Sequence, residues 1–284
     1  MISKKGDRLL RPVLFFVLFL LAGLTFVSPS LLLADSNVSQ AFDHSTWNEF
    51  LKTFVNEKGE VDYAGVKKNP ALLETYLKQL RSVTTTNRVF EGPREERMAL
   101  LINAYHAGLV DQIRQHYPIK EVGSIPNFWE WQFIAIGEGK YSLNGIRTMS
   151  LIKTFRDVKI HTVLSWGARG GPKLQQEAFT GPLVEGQLFM AAREFVNNPD
   201  FVRITPGKKK IEIAKLFQWH AQDFMFNFYH GENGRGFSDW DFSVLSFIVN
   251  YLDDTEKIRF LENEKYKIKY ISFDWSLNEW VRKR

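Results

Sequence analysis

Cysteine is absent from all 284 residues, which excludes a thiol nucleophile, a thiolate metal site and a lipid-modified cysteine. Disulfides are excluded with it, so stability has to come from packing, to which the 14% of aromatic residues contribute. The histidine spacings that mark a metal site are also missing. The six histidines, at 44, 106, 116, 161, 220 and 230, include no His-x-x-x-His pair and no HExxH-type element. A zinc site would have to assemble from distant segments, and neither a metal nor a cofactor is expected. Nor does Ser165 stand in a G-x-S-x-G elbow, because Val163 and Leu164 precede it.

Charge is missing from one long stretch. "MISKKGDRLLR" is basic, and Pro12 to Ala34 carries no charged residue, the n-region and h-region pattern of a secretory signal. Ala34 and the Ser28-Pro29-Ser30 stretch compete as the place of cleavage. These 23 uncharged residues also exceed the roughly 20 that cross a bilayer, so an uncleaved anchor over 12–34 stays open. The expected location is therefore periplasmic or extracellular, or membrane-anchored through that segment alone. Losing Lys4, Lys5, Arg8, Arg11 and Asp7 takes the formal charge from +5 to +2. So weak a positive balance speaks against nucleic acid as a partner.

What remains, residues 35–284, shows no repeat, linker or low-complexity tract, and reads as one domain. "STWNEFLKTF" places Trp47, Phe50, Leu51 and Phe54 at helical spacing, with Ser45 as a possible cap. "ALLETYLKQLRSV" predicts a second amphipathic helix. "EERMALLINAYHAGLVDQIRQHY" predicts a third, apolar all round and closed by Pro118, which suits the centre of a core. "PNFWEWQFIAIGEGKYSL" alternates around Gly-Glu-Gly and predicts a β-hairpin. Helical spacing resumes in "LNGIRTMSLIKTF", "PLVEGQLFMAAREFVNNP", "IEIAKLFQWHAQDFMFNF" and "SDWDFSVLSFIVNYL", and "KIKYISFDWSLNEW" reads as extended. The expectation is a mostly helical α+β domain with a small antiparallel β-hairpin or sheet.

Candidate site residues gather in two places. Asn103 and His106 are three apart on the apolar helix and share a face, where they either orient a ligand or brace a neighbouring loop. In "IHTVLSWGARGGPKL", His161 precedes Ser165 by four, the order of a base and a nucleophile. In a strand, however, the two would sit some 13 Å apart at roughly 3.3 Å per residue. Arg169 stands among Gly167, Gly170 and Gly171, whose amides suit an anion-binding concavity beside a guanidinium. Asp274 and Trp275 read as a lock on the core.

Six segments in order, "NEKGEVDYAGV", "LLINAYHAGLV", "SIPNFWEW", "IHTVLSWGARGGPKL", "LFQWHAQDF" and "FDWSLNE", together resemble the family catalogued as domain of unknown function 547. The resemblance runs from about Trp47 to Asn278. In the family pattern the histidine-led loop carries asparagine-cysteine-glycine-alanine and then serine-cysteine-proline. This chain has Ser165-Trp166 and Gly170-Gly171 at those places. Arg147-Thr148 replaces glutamate-histidine, and His106 and His220 stand where asparagine and tyrosine are usual. The resemblance thus implies a family site whose thiols are lost.

The functional expectation follows from that loss. It is an exported, catalytically degenerate member that binds an unidentified small molecule or envelope protein through His161, Ser165, Trp166, Arg169, Asn103 and His106, with no residue assigned a catalytic role. Two alternatives stay open: an envelope hydrolase using Ser165 or a metal-activated water, and a structural envelope component.

Overall fold

The computed structural model describes residues 41–83, 92–228, 231 and 236–282. The stretch expected to be a signal or anchor, residues 1–34, lies outside the described residues. Among the described residues no helix is long and apolar enough to cross a membrane.

Ser39–Arg284 forms one compact unit. Helix α1 (Ser45–Phe54) buries Trp47, Phe50, Leu51 and Phe54, as their spacing demands. Ser45 is its first residue rather than its cap; the Asp43 carboxylate accepts from the Ser45 amide at 2.8 Å and does that work instead. Helices α2 (Tyr63–Lys68) and α3 (Ala71–Arg81) follow. Helix α4 (Arg94–His116) buries every residue from Met98 to Val110. An unbroken buried run of that kind needs neighbours on all sides, and α2, α3, a hairpin and a later helix supply them. The hairpin is β1 (Ile134–Ile136) paired antiparallel with β2 (Gly139–Tyr141), with Ile134 and Ile136 buried on its inner face.

Beyond the hairpin the chain winds as a π-helix, Gly145–Ile152, and ends in a short α-turn, α5 (Lys153–Phe155). The sequence signalled ordinary helical spacing here; the wider winding is a local variant that recurs at functional sites. A 3-10 turn, Val158–Thr162, then leads into the glycine loop. Helix α6 (Val184–Asn197) joins two apolar clusters. Val184, Leu188 and Ala191 belong to the cluster around α4, whereas Ala192, Phe195 and Val196 belong to a second one.

The second cluster is covered by a three-stranded sheet that the sequence only half announced. "IEIA" was expected to open a helix, but Ile211 and Ile213 alternate inward and form strand β4 (Lys210–Ala214). It pairs antiparallel with β3 (Val202–Thr205) and parallel with β5 (Lys267–Ile271). The mostly helical α+β class therefore holds, with a mixed sheet beside the antiparallel hairpin. The expected single helix after β4 is two, α7 (Lys215–Trp219) and α8 (Ala221–Phe228), which meet at His220. Helices α9 (Asp239–Tyr251), capped by Ser238 Oγ, and α10 (Thr255–Asn263) complete the unit.

Candidate functional site

The glycine loop is fixed by two neighbours, α4 from below and the C-terminal segment from the side. Arg169 N–H donates to Ser276 O and Gly170 N–H to Asp274 O, both at 2.9 Å, and Ala168 bridges Leu277. The glycines make that approach possible. A Cβ on Gly170 would lie 2.5 Å from the Asp274 nitrogen, and Gly167 combines a φ of +67° with a site where a Cβ would meet Ile113 at 2.6 Å. Because Gly167, Arg169, Gly170 and Gly171 all donate their amides within the fold, the loop does not form the anion-binding concavity its composition suggested.

Each expected site residue has a definite place. Asn103 Nδ2 donates to Phe179 O at 2.7 Å, and its Oδ1 accepts from Phe179 N–H at 3.0 Å, a two-point brace on a buried loop. His106 Nε2 accepts from the Ser165 amide at 3.1 Å. With Nε2 an acceptor, the proton of the neutral ring sits on Nδ1. Burial pushes its pKa down to about 3, so the ring is neutral at physiological pH. The Ser165 carbonyl accepts from Tyr105 OH at 3.0 Å, and its Oγ accepts from Gly167 N–H at 3.2 Å. Ser165 is fully buried, and neither histidine is bonded to its hydroxyl.

Arg169 pairs with Glu60 and donates to Glu279 O at 2.9 Å, which ties the loop to the turn before α2. It also lines a cleft of about 740 Å³, but His161, Trp166, His220 and Asp223 are not in that lining. We place the chemistry with the residues rather than with the cleft, because the cleft walls carry opposite charges already paired across it, Arg169 with Glu60 and Lys173 with Glu194. Asp274 accepts from the Ser276 amide at 3.0 Å. The lock on the core is made by Leu277 and Asn278, the latter accepting from Tyr63 OH at 2.8 Å, while Trp275 is 37% exposed.

Three residues that sequence reasoning did not put in the site complete it. His161 Nε2 lies 2.9 Å from Asp223 Oδ2, and its ring stacks on His220 with centroids 4.1 Å apart and planes 12° apart. His220 Nδ1 is 3.9 Å from the same carboxylate oxygen. His220 closes α7 and Asp223 sits in the first turn of α8, where its amide bonds the His220 carbonyl at 2.9 Å. Burial holds both histidines below their ordinary pKa; the nearby Asp223 opposes the shift at His161, and the charges of His161 and Arg147 add to it at His220. Arg147, carried by the π-helix, approaches His220 Nε2 at 3.4 Å and donates to Asn144 Oδ1 at 2.6 Å. The signals were present in "QWHAQDF", as a histidine and an aspartate three apart, and in the arginine of "LNGIRT".

Trp166 is packed in aromatic rings. Trp219 stacks on it at 5.3 Å, Trp129, Phe273 and Trp275 lie within 6.1 Å, and the Arg147 guanidinium sits 5.3 Å from its ring centre. Trp219 is 40% exposed, so the cluster reaches the surface.

Residues 91–196 match the family model described as "Protein of unknown function, DUF547". No curated protein and no solved structure matches the chain. His220, Asp223 and the C-terminal motif lie outside the matched span, whereas Asn103, His106, Arg147, His161, Ser165, Trp166 and Arg169 all lie within it. The segment 91–196, which carries every binding residue expected from sequence, is thus similar to that family model and holds no cysteine.

Proposed function

We propose that the chain is an exported, catalytically degenerate member of this family that binds a ligand at the aromatic surface beside His161 and Trp166. The observation that carries the reading is Arg147. Its guanidinium lies over Trp166, and among the described residues no carboxylate pairs with it. A cation held on an aromatic face next to exposed Trp219 and Trp275 suits a small anionic molecule with a flat ring, stacked on indole and neutralised by the guanidinium. Trp166 offers neither a thiolate nor a base, so the site has no route to thiol chemistry.

A saturation-transfer NMR screen with aromatic carboxylates and acidic sugars tests the binding, comparing the parent with Arg147→Met and Trp219→Ala. Loss of the hits in both variants supports the reading; hits that survive both remove it. Export is tested by the mass of the protein recovered from the producing cell. A full-length chain in the cytosol contradicts that part of the proposal.

A second reading, hydrolysis by a metal-activated water, is favoured by one observation, the convergence of His161, His220 and Asp223. Ser165 lends no support to a serine route, since its hydroxyl is buried and bonded to Gly167.

A further inference from the structure

We infer that His161, His220 and Asp223 form a binding site for one divalent transition-metal ion of the zinc class. The inference goes beyond the anionic-ligand reading and does not depend on it. One ligand atom from each residue lies within 4.8 Å of the others. His161 Nε2 and Asp223 Oδ2, at 2.9 Å, already have the spacing of two ligands on one ion, which is about 3 Å when each bond is about 2 Å. His220 Nδ1, 3.9 Å from that oxygen, reaches the same spacing once its ring tilts out of the stack on His161, so that both nitrogens point at one ion. Two imidazoles and one carboxylate are a donor set that first-row metals take, and three protein ligands leave a further position for water or a substrate oxygen. Asp223 is 27% exposed along its side chain, so the ion can enter from solvent.

The proton inventory is balanced. In the metal-free protein the neutral His161 ring donates its Nε2 proton to Asp223. Ligation moves that proton to Nδ1, and no proton is released. His220 behaves differently. With Arg147 donating to Nε2, the ring proton rests on Nδ1. Ligation through Nδ1 shifts it to Nε2, where it meets the Arg147 N–H groups, and the guanidinium has to turn away. Arg147 therefore competes with the ion, both through that donor clash and through its charge, and sets the affinity low.

The test is isothermal titration of untagged, chelator-stripped full-length chain with Zn²⁺ alone, with Co²⁺ visible absorption as the spectroscopic readout. The expected result is one equivalent bound, with affinity falling at least about tenfold in both Asp223→Asn and His220→Asn. Arg147→Met should tighten binding about tenfold, as loss of a like charge several ångströms away predicts. Circular dichroism checks each variant; if His220→Asn does not fold, His220→Tyr, the residue usual there in the family pattern, takes its place. No binding by the parent overturns the inference. So does unchanged affinity in the Asp223 and His220 variants, and unchanged affinity in Arg147→Met overturns the placing of the ion on His220 Nδ1. Zinc binding by a parent that gives no hits in the NMR screen of anionic ligands would keep this inference and remove the preceding one.

Discussion

Replacing His106 by Asn should flatten the acid dependence of stability. His106 is 1% exposed, accepts from the Ser165 amide and is held neutral by burial, with its pKa at about 3 in the folded protein. Unfolded, the same ring titrates near its ordinary 6.5. Between those two values the unfolded chain binds a proton that the folded one refuses, so stability falls as the pH drops below about 6.5. Each pH unit in the window is worth about 1.4 kcal/mol, which makes the His106 contribution about 2 kcal/mol at pH 5 and close to zero above pH 7. Urea unfolding of parent and His106→Asn at pH 7 and pH 5, followed by tryptophan fluorescence, measures it. The parent's loss between the two pH values should exceed the variant's by about 2 kcal/mol; His44, also buried with a lowered pKa, is common to both and cancels. At pH 7 the variant should be less stable by about 1–3 kcal/mol, for the backbone group its shorter amide leaves unpaired. Equal losses in parent and variant would refute the assignment of His106 as a neutral buried brace.

Asn103→Ala leaves both polar groups of Phe179 without their partner and should cost at least about 2 kcal/mol in the same urea assay. Gly170→Ala puts a methyl group 2.5 Å from the Asp274 nitrogen; an expected cost of about 1–3 kcal/mol should appear as a lowered Tm, and an unchanged Tm contradicts the close approach. Arg169→Ala removes an ion pair whose arginine side chain is 44% exposed, so urea unfolding should show a loss below about 1 kcal/mol. A larger loss would mean that the tie to Glu60 and Glu279 holds the loop itself.

Local pattern was enough to read most of the helices and the hairpin. Trp47, Phe50, Leu51 and Phe54 recur at 3.6, and Ile134 and Ile136 at 2, so each marks its own buried face whatever it packs against. The same rule failed at 211–214, where a strand of five residues runs directly into helices and a helical window averages over the boundary. The π-helix escaped notice because its change of winding leaves no mark in hydrophobic spacing. Of the site, Asn103, His106, His161 and Trp166 were legible from residue type and from the departures in the loop. Their roles were not, because a brace and a ligand use the same amide or imidazole, and only the identity of the partner tells them apart.

The sequence by itself determined that the chain has no thiol to offer, that the fold is mostly helical with a hairpin, and that glycines crowd the 167–171 loop. These are properties of composition and of neighbours within a few residues, which the covalent chain fixes. Tertiary structure alone decided that His161 faces Asp223, 62 positions away, rather than Ser165 four positions away, and that Arg147 lies over Trp166. Those pairings depend on how the 3-10 turn, the π-helix and the junction of α7 with α8 meet, and no local periodicity encodes that meeting.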